Sequence, residues 1–221
     1  MDISPDMLRT GGFGLAVLFA LSYGIIYVGG APSVTRTFLK TASIGLLAIV
    51  SLLAGGLAVL TSALALSALG DAFLSRDGER NFLFGLISFL LAHIAYIILF
   101  FGTGKGLAVS GDSLWIYAIG FAIILSAADT LRRLWPNLNA LRWPVVVYTG
   151  AICIMGLAAL TLIYKPFVIA GALMFMMSDT ILAHEQFFWP DQHPIRRYSP
   201  YAVWTLYFVG QALIAWAFLA G

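Results

Sequence analysis

Charge is scarce in this chain. Lys, Arg, Asp and Glu make up 10% of its 221 residues, against 61% hydrophobic residues and a mean hydropathy of +0.95. Soluble domains carry roughly 25% charged residues, and one of this size cannot cover its surface with so few. The natural solvent of the chain is therefore a bilayer. The net charge of +2 is too small to suggest nucleic acid as a partner. Cysteine is nearly absent as well. Cys153 stands alone, which excludes an internal disulfide, and it reads as a small buried core residue. The strict alternation of a membrane β-barrel is missing. So are charge blocks, low-complexity stretches and anything resembling a soluble domain. One integral membrane domain, residues 1–221, accounts for the chain. The opening "MDISPDMLRT" has no basic stretch, and no small-residue cleavage site follows the first apolar run. That run is expected to be a retained membrane helix.

What the chain does have is a series of long apolar runs. A span needs about 20 mostly apolar residues. Candidates lie at 11–28, 37–55, 57–75, 82–101, 113–131, 144–162, 166–184 and 201–219. Residues 37–75 are too long for one span, and Gly55-Gly56 divides them, because glycine permits a turn and weakens a helix. The expected fold class is all-α: a polytopic membrane helix bundle with eight transmembrane helices. Pro144, Pro166 and Pro200 stand at or near helix starts. Arg36, Lys40, Arg76, Arg80, Arg132, Arg133, Arg142, Arg196 and Arg197 collect on one side, and Arg9, Lys105 and Lys165 on the other. Basic loops stay cytosolic, so both termini are expected on the non-cytosolic side. For a bacterial source, the membrane is expected to be the inner (cell) membrane. Trp135, Trp143 and Trp189 fall at the expected interfaces.

A carboxylate within a span costs several kcal/mol and by default marks function. Asp71, in "LGDAFLS", lies near the cytosolic end of the third run, and Asp179, in "MSDTILA", near that of the seventh. Tyr148 enters the sixth run from the same side, and all three lie about 6–8 Å below the boundary. Lys40 precedes Gly55 by as many positions as Asp71 follows Gly56, so an antiparallel hairpin sets them opposite each other. A deeper layer holds His93 and Gln211, flanked by Tyr96 and Tyr207. Phe89, His93, Tyr96 and Phe100 share one helix face. Together these residues suggest a polar cavity in the cytosolic half. Each also has a plainer role: the acids and Tyr148, Tyr207 and Gln211 as glue between helices, Lys40 snorkelling to the interface, His93 as a packing residue. Asp129 stands at i−3 and i−4 from Arg132 and Arg133 and reads as a local ion pair. "GDAFLS" and "SDTILA" echo each other four helices apart, which fits a four-plus-four duplication.

Lys40, "LGDAFL" at 69–74, "FLFGLISFLLAHIAY" at 82–96, "VYTGAICIM" at 147–155, "MSDTILA" at 177–183 and "YFVGQALI" at 207–214 occur in one order along nearly the whole chain from the second helix onward. This set resembles the YhhN family, the lysoplasmalogenase-type membrane proteins. Thr41 departs from the proline expected after the lysine. The resemblance implies an eight-helix enzyme that hydrolyses the vinyl ether bond of lysoplasmalogens. Its products would be a fatty aldehyde and glycerophospho-ethanolamine or -choline. The family's two intramembrane aspartates map onto Asp71 and Asp179.

That chemistry needs a proton delivered to carbon and a stabilised oxocarbenium ion, much as glycosidases need two unlike carboxylates. Asp179, in apolar surroundings, is expected to be the protonated acid, and Asp71, beside Lys40, the ionised partner. His93 and Tyr96 would orient water or a carboxylate, and Ser178 would hydrogen-bond Asp179. Lys40, Arg76 or Arg80 would meet the lipid phosphate. The partner is a lysophospholipid from the bilayer. No cofactor motif is visible, and His184 and His193 with Glu185 and Asp191 lack zinc spacing, so no metal is expected. The rival classes are a proton-coupled transporter or lipid flippase, and a non-catalytic lipid-binding protein.

Overall fold

The computed structural model describes residues 5–104 and 114–220. Lys105, the first position of the fifth expected span and the opening of the N-terminal stretch lie outside them. Every regular element among the described residues is helical. The helices are α1 (Pro5–Ser22), α2 (Val34–Leu53), α3 (Ala58–Leu74), α4 (Glu79–Thr103), α5 (Leu114–Leu134), α6 (Arg142–Ala159), α7 (Pro166–Phe187) and α8 (Ser199–Leu219). A π-helical turn, Tyr23–Tyr27, prolongs α1. Proline opens α7 at Pro166, and Pro144 and Pro200 stand in the first turns of α6 and α8, where no amide is needed.

The apolar runs predict eight spans, and seven of the eight helices are long and apolar enough to cross a bilayer. The exception is α3. Its 17 residues rise about 25 Å, short of a hydrocarbon core of about 30 Å. The residues on either side of it form turns. Gly55 adopts φ +69°, which only glycine takes without strain, and the Gly56 amide donates to the Ser51 carbonyl at 2.8 Å. At the other end the Ser75 amide closes the helix on the Asp71 carbonyl at 3.0 Å.

The chain forms two compact units, residues 1–96 with 211–221, and residues 97–210. In the first, α2 packs along both α1 and α3. Ser51 and Thr61 join the α2–α3 hairpin through their hydroxyls, 2.8 Å apart. In the second unit α5, α6 and α7 pack together around Ile116, Ile123, Leu160 and Ile169. Cys153 lies against this cluster but is only partly buried, not the core residue expected. In a bilayer the distinction costs little, since lipid tails are as apolar as the core.

The echo between residues 70–75 and 178–183 extends through whole helices. α6 follows α2 and α7 follows α3 at one common offset, Arg142 against Val34 and Pro166 against Ala58. The buried residues of α2 are Ser43, Ile44, Leu47, Ala48, Val50 and Ser51. At that same offset each has a buried counterpart: Ala151, Ile152, Met155, Gly156, Ala158 and Ala159. In α3 the buried set includes Leu60, Ala63, Leu64, Ser67, Gly70 and Asp71, which maps onto Val168, Gly171, Ala172, Phe175, Ser178 and Asp179. The same faces are buried in both hairpins, the pattern a duplicated helical hairpin gives.

Small residues set the closest approaches. A Cβ on Gly210 of α8 would lie 2.7 Å from the Gly171 carbonyl oxygen and 3.1 Å from the Phe175 amide nitrogen of α7. Backbone cannot swing aside as a side chain can. Gly210→Ala should therefore destabilise the protein by about 1–3 kcal/mol. Thermal melting in detergent measures this, and an unchanged midpoint would mean that the two helices separate freely.

Candidate active site

In the first unit, Asp71 is 1% exposed, one turn from the end of α3. Lys40 of α2 reaches it, Nζ to Oδ1 at 3.2 Å, as the hairpin count requires. The adjoining Gly70 is small for a reason: a Cβ there would lie 2.6 Å from the Phe89 ring of α4. Just beyond, Arg36 donates from Nη1 to the Ser75 carbonyl at 2.7 Å, and the Ser75 hydroxyl donates to Thr37 Oγ1 at 2.8 Å. Arg36 thus caps the C-terminus of α3, where carbonyls lack helical partners and a cation is favoured.

Deeper in the same unit, Tyr96 donates its hydroxyl to Gln211 Oε1, and Gln211 Nε2 donates to Ser67 Oγ at 2.9 Å. All three are fully buried, and the chain joins α4, α8 and α3. Ser67 was missed from the sequence. It stands one helical turn before Asp71, on the same face, and that spacing is the signal that marks it. Phe89, His93, Tyr96 and Phe100 do share the buried face of α4. His93 Nδ1 lies 2.6 Å from the Phe89 carbonyl oxygen. A carbonyl only accepts, so Nδ1 carries the proton, and in the neutral ring Nε2 is the acceptor.

In the second unit, Asp179 is 7% exposed on α7, and the Tyr148 hydroxyl of α6 donates to its Oδ2 at 2.7 Å. Ser178 does not serve Asp179 as expected. Its hydroxyl donates to the Val203 carbonyl at 2.9 Å and ties α7 to α8. The single hydroxyl proton is then committed. Tyr207 packs its ring 5.3 Å from Phe175 and 5.9 Å from Trp204. Each unit therefore buries one carboxylate against a donor from the preceding helix. The donor is an ammonium in the first unit and a phenol in the second.

The loops carry the remaining charges. Asp129 accepts from Arg132 at 2.7 Å and from Arg133 at 2.5 Å, the local pairing read from its spacing. Arg76 and Arg80 are exposed beside the end of α3. Between α7 and α8, Arg196 pairs with Asp191 at 3.2 Å and donates to the Glu185 and Trp189 carbonyls. Ser199 donates to Glu185 Oε1 at 2.5 Å. His184 Nδ1 meets the Thr180 carbonyl at 2.8 Å, and His193 stacks on Trp189. These side chains brace the loop. Among the described residues, no cluster of His, Cys, Asp or Glu is placed to hold a metal ion.

The pattern of the YhhN family matches residues 35–218, from the start of α2 to the end of α8. The chain belongs to the YhhN family. Every site residue from Lys40 to Gln211 lies within the matched stretch, and α1 precedes it. Two curated relatives of this YhhN protein are similar over most of its length. Lysoplasmalogenase TMEM86A of Bos taurus is 27% identical over 208 residues, covering 90% of this chain and 71% of that protein. Lysoplasmalogenase TMEM86A of Homo sapiens is 27% identical over 210 residues, with the same coverage. No solved structure matches significantly.

Proposed function

We propose that this YhhN protein is a multi-pass membrane hydrolase that cleaves the vinyl ether bond of lysoplasmalogens. One observation carries the reading: two buried carboxylates with unlike donors, in a YhhN-family chain that is 27% identical to two curated proteins named lysoplasmalogenase. Protonation of the outer vinyl carbon gives an oxocarbenium ion, water adds to it, and the hemiacetal collapses. The products are a fatty aldehyde and the glycerophospho-ethanolamine or -choline. Asp179 is the acid. Asp71 steadies the cation and orients water, held in place by Lys40. The exposed Arg76 and Arg80 offer bidentate forks to the lipid phosphate, and Lys40 Nζ keeps further N–H donors beside its contact with Asp71. Tyr96, Gln211, Ser67 and His93 support the first carboxylate's surroundings, and Ser178 and Tyr207 those of the second.

The finer topology belongs to the same proposal. α3 completes an eighth crossing, both termini lie outside the cytosol, and the carboxylates open toward the inner leaflet of a bacterial cell membrane. The distribution of Lys and Arg favours this orientation. A lysolipid then enters laterally, with its alkenyl chain among the apolar helices.

The test uses purified protein in detergent with lysoplasmenyl-ethanolamine. A coupled aldehyde dehydrogenase reports release. Saturable release supports the hydrolase. Intact lipid recovered after long incubation would overturn it and turn attention to lipid movement in vesicles.

A further inference from the structure

We propose that the turn between α5 and α6 binds the phosphate of a resident anionic phospholipid, with the Arg142 guanidinium, held over the Trp135 ring, as its receptor. This surface lies outside both carboxylate sites, and its role does not depend on the vinyl ether reaction.

The turn is built to be rigid. Two 3₁₀ turns, Trp135–Asn137 and Asn139–Leu141, join α5 to α6. Asn139 takes φ +44°, a left-handed conformation that asparagine tolerates better than most residues. Leu134, Leu138 and Val145 are buried beneath, packed against Ala183 and Phe187 of α7. The Asn137 side-chain amide donates to the Phe187 carbonyl at 2.8 Å and fastens the turn to the end of α7. The chain comes back on itself, and Arg142 Cζ lies 5.3 Å from the centroid of the Trp135 ring.

This fixed turn presents a cation and two indoles. Trp135 is 44% exposed, and Trp143, next to Arg142, 75%. Both flanking helices are long and apolar enough to cross a bilayer, so their junction falls at headgroup level, where tryptophan is favoured. The ring face attracts the guanidinium electrostatically and leaves its in-plane N–H donors unused. Among the described residues no protein acceptor takes them. Their planar fork matches two oxygens of a phosphate. Holding the side chain over the ring beforehand also removes freedom that binding would otherwise cost.

Charge decides which lipid. Arg132, Arg133 and Arg142 stand here against a single carboxylate, Asp129, which Arg132 and Arg133 share. Positive charge is left in excess. A headgroup of net negative charge is therefore favoured over a zwitterionic one, whose own ammonium these arginines repel. A second pair of the same make, Arg197 over Tyr198 at 5.6 Å, lies in the α7–α8 loop of the same unit. Keeping basic residues on one side of a membrane would be served by lysine as well as arginine and needs no ring beneath the charge. The pairing with Trp135 is what marks a receptor.

The full purified chain in a non-ionic detergent is mixed with phosphatidylglycerol or phosphatidylcholine of the same acyl chains, and native mass spectrometry counts the lipid retained. Wild-type protein should hold phosphatidylglycerol on the order of 10-fold more tightly. Arg142→Lys keeps the charge and loses the fork, and Trp135→Leu keeps an apolar contact and loses the ring. Each should weaken phosphatidylglycerol binding on the order of 3- to 10-fold and leave phosphatidylcholine within about twofold. Lipid-free melting temperatures of Arg142→Lys should match the wild type, because Arg142 bonds no protein acceptor. Equal retention of the two lipids by the wild type, a result that needs no variant, would overturn the proposal. Phosphatidylglycerol held as tightly by Arg142→Lys would do the same, by showing a patch that counts charge alone. Displacement by inorganic phosphate would reveal a free-anion site, and displacement by lysoplasmenyl-ethanolamine a handle for substrate; either would remove the resident lipid.

Discussion

Asp179→Asn should lose roughly 10²–10⁴-fold in kcat for aldehyde release while remaining folded. The substitution is close to isosteric. An asparagine carbonyl still accepts from Tyr148, so the α6–α7 contact at 2.7 Å survives in kind. What disappears is the acidic proton, and an amide cannot replace it. Asp71→Asn should also lose most turnover, for a different reason: a neutral side chain no longer opposes the positive charge of the oxocarbenium ion. The decisive comparison is activity against melting temperature in the same preparations. Two inactive variants that melt like the wild type place both carboxylates in the chemistry. Two variants that are inactive because they no longer fold leave the acids as helix glue, and wild-type rates in either would remove that residue from the mechanism.

Lys40→Met should be among the most destabilising single changes in the first unit. Lys40 is 15% exposed and Asp71 1%, so the pair is largely out of water. Removing the ammonium takes from the buried Asp71 carboxylate the counterion 3.2 Å away, at a cost of about 3 kcal/mol or more. Methionine keeps much of the stem's volume, so the loss reports the ammonium and not a cavity. Adding Asp71→Asn should recover most of the stability, because the double variant no longer buries the carboxylate charge that Lys40 opposed. The double-mutant cycle isolates the coupling from effects on the helix itself. A Lys40→Met protein as stable as the wild type would mean that Lys40 snorkels away from Asp71 in the bilayer.

Much of the architecture was legible in the residues. Low charge and long apolar runs require helices in a membrane, because backbone groups have no other partner there. Gly55 marked the turn of the α2–α3 hairpin, and counting outward from it paired Lys40 with Asp71. That count works because a helical hairpin has one register once its turn is known. The spacing of Phe89, His93, Tyr96 and Phe100 identified the buried face of α4, since helical periodicity is a local property.

Tertiary structure decided what depth alone could not. Tyr148 and Asp179 were placed at one level by sequence, but their contact depends on how α6 rotates against α7. Ser178 turned to Val203 rather than to its neighbour, a choice made by the approach of α8. Ser67 became the end of a buried relay only when Gln211 arrived from 144 residues away. The length of α3 was set by the turns at its two ends. The duplication was a six-residue echo in sequence and became a shared pattern of burial across two hairpins. The physical reason is common to all of these. In a soluble protein, hydropathy separates core from surface, so periodicity reveals the buried face. In a bilayer the lipid-facing side is as apolar as the core, and that contrast is lost. The sequence therefore determined that the chain is an apolar helix bundle suited to a membrane and where most of its helices lie. The rotation of each helix, and so the partner of each buried polar group, was decided by packing.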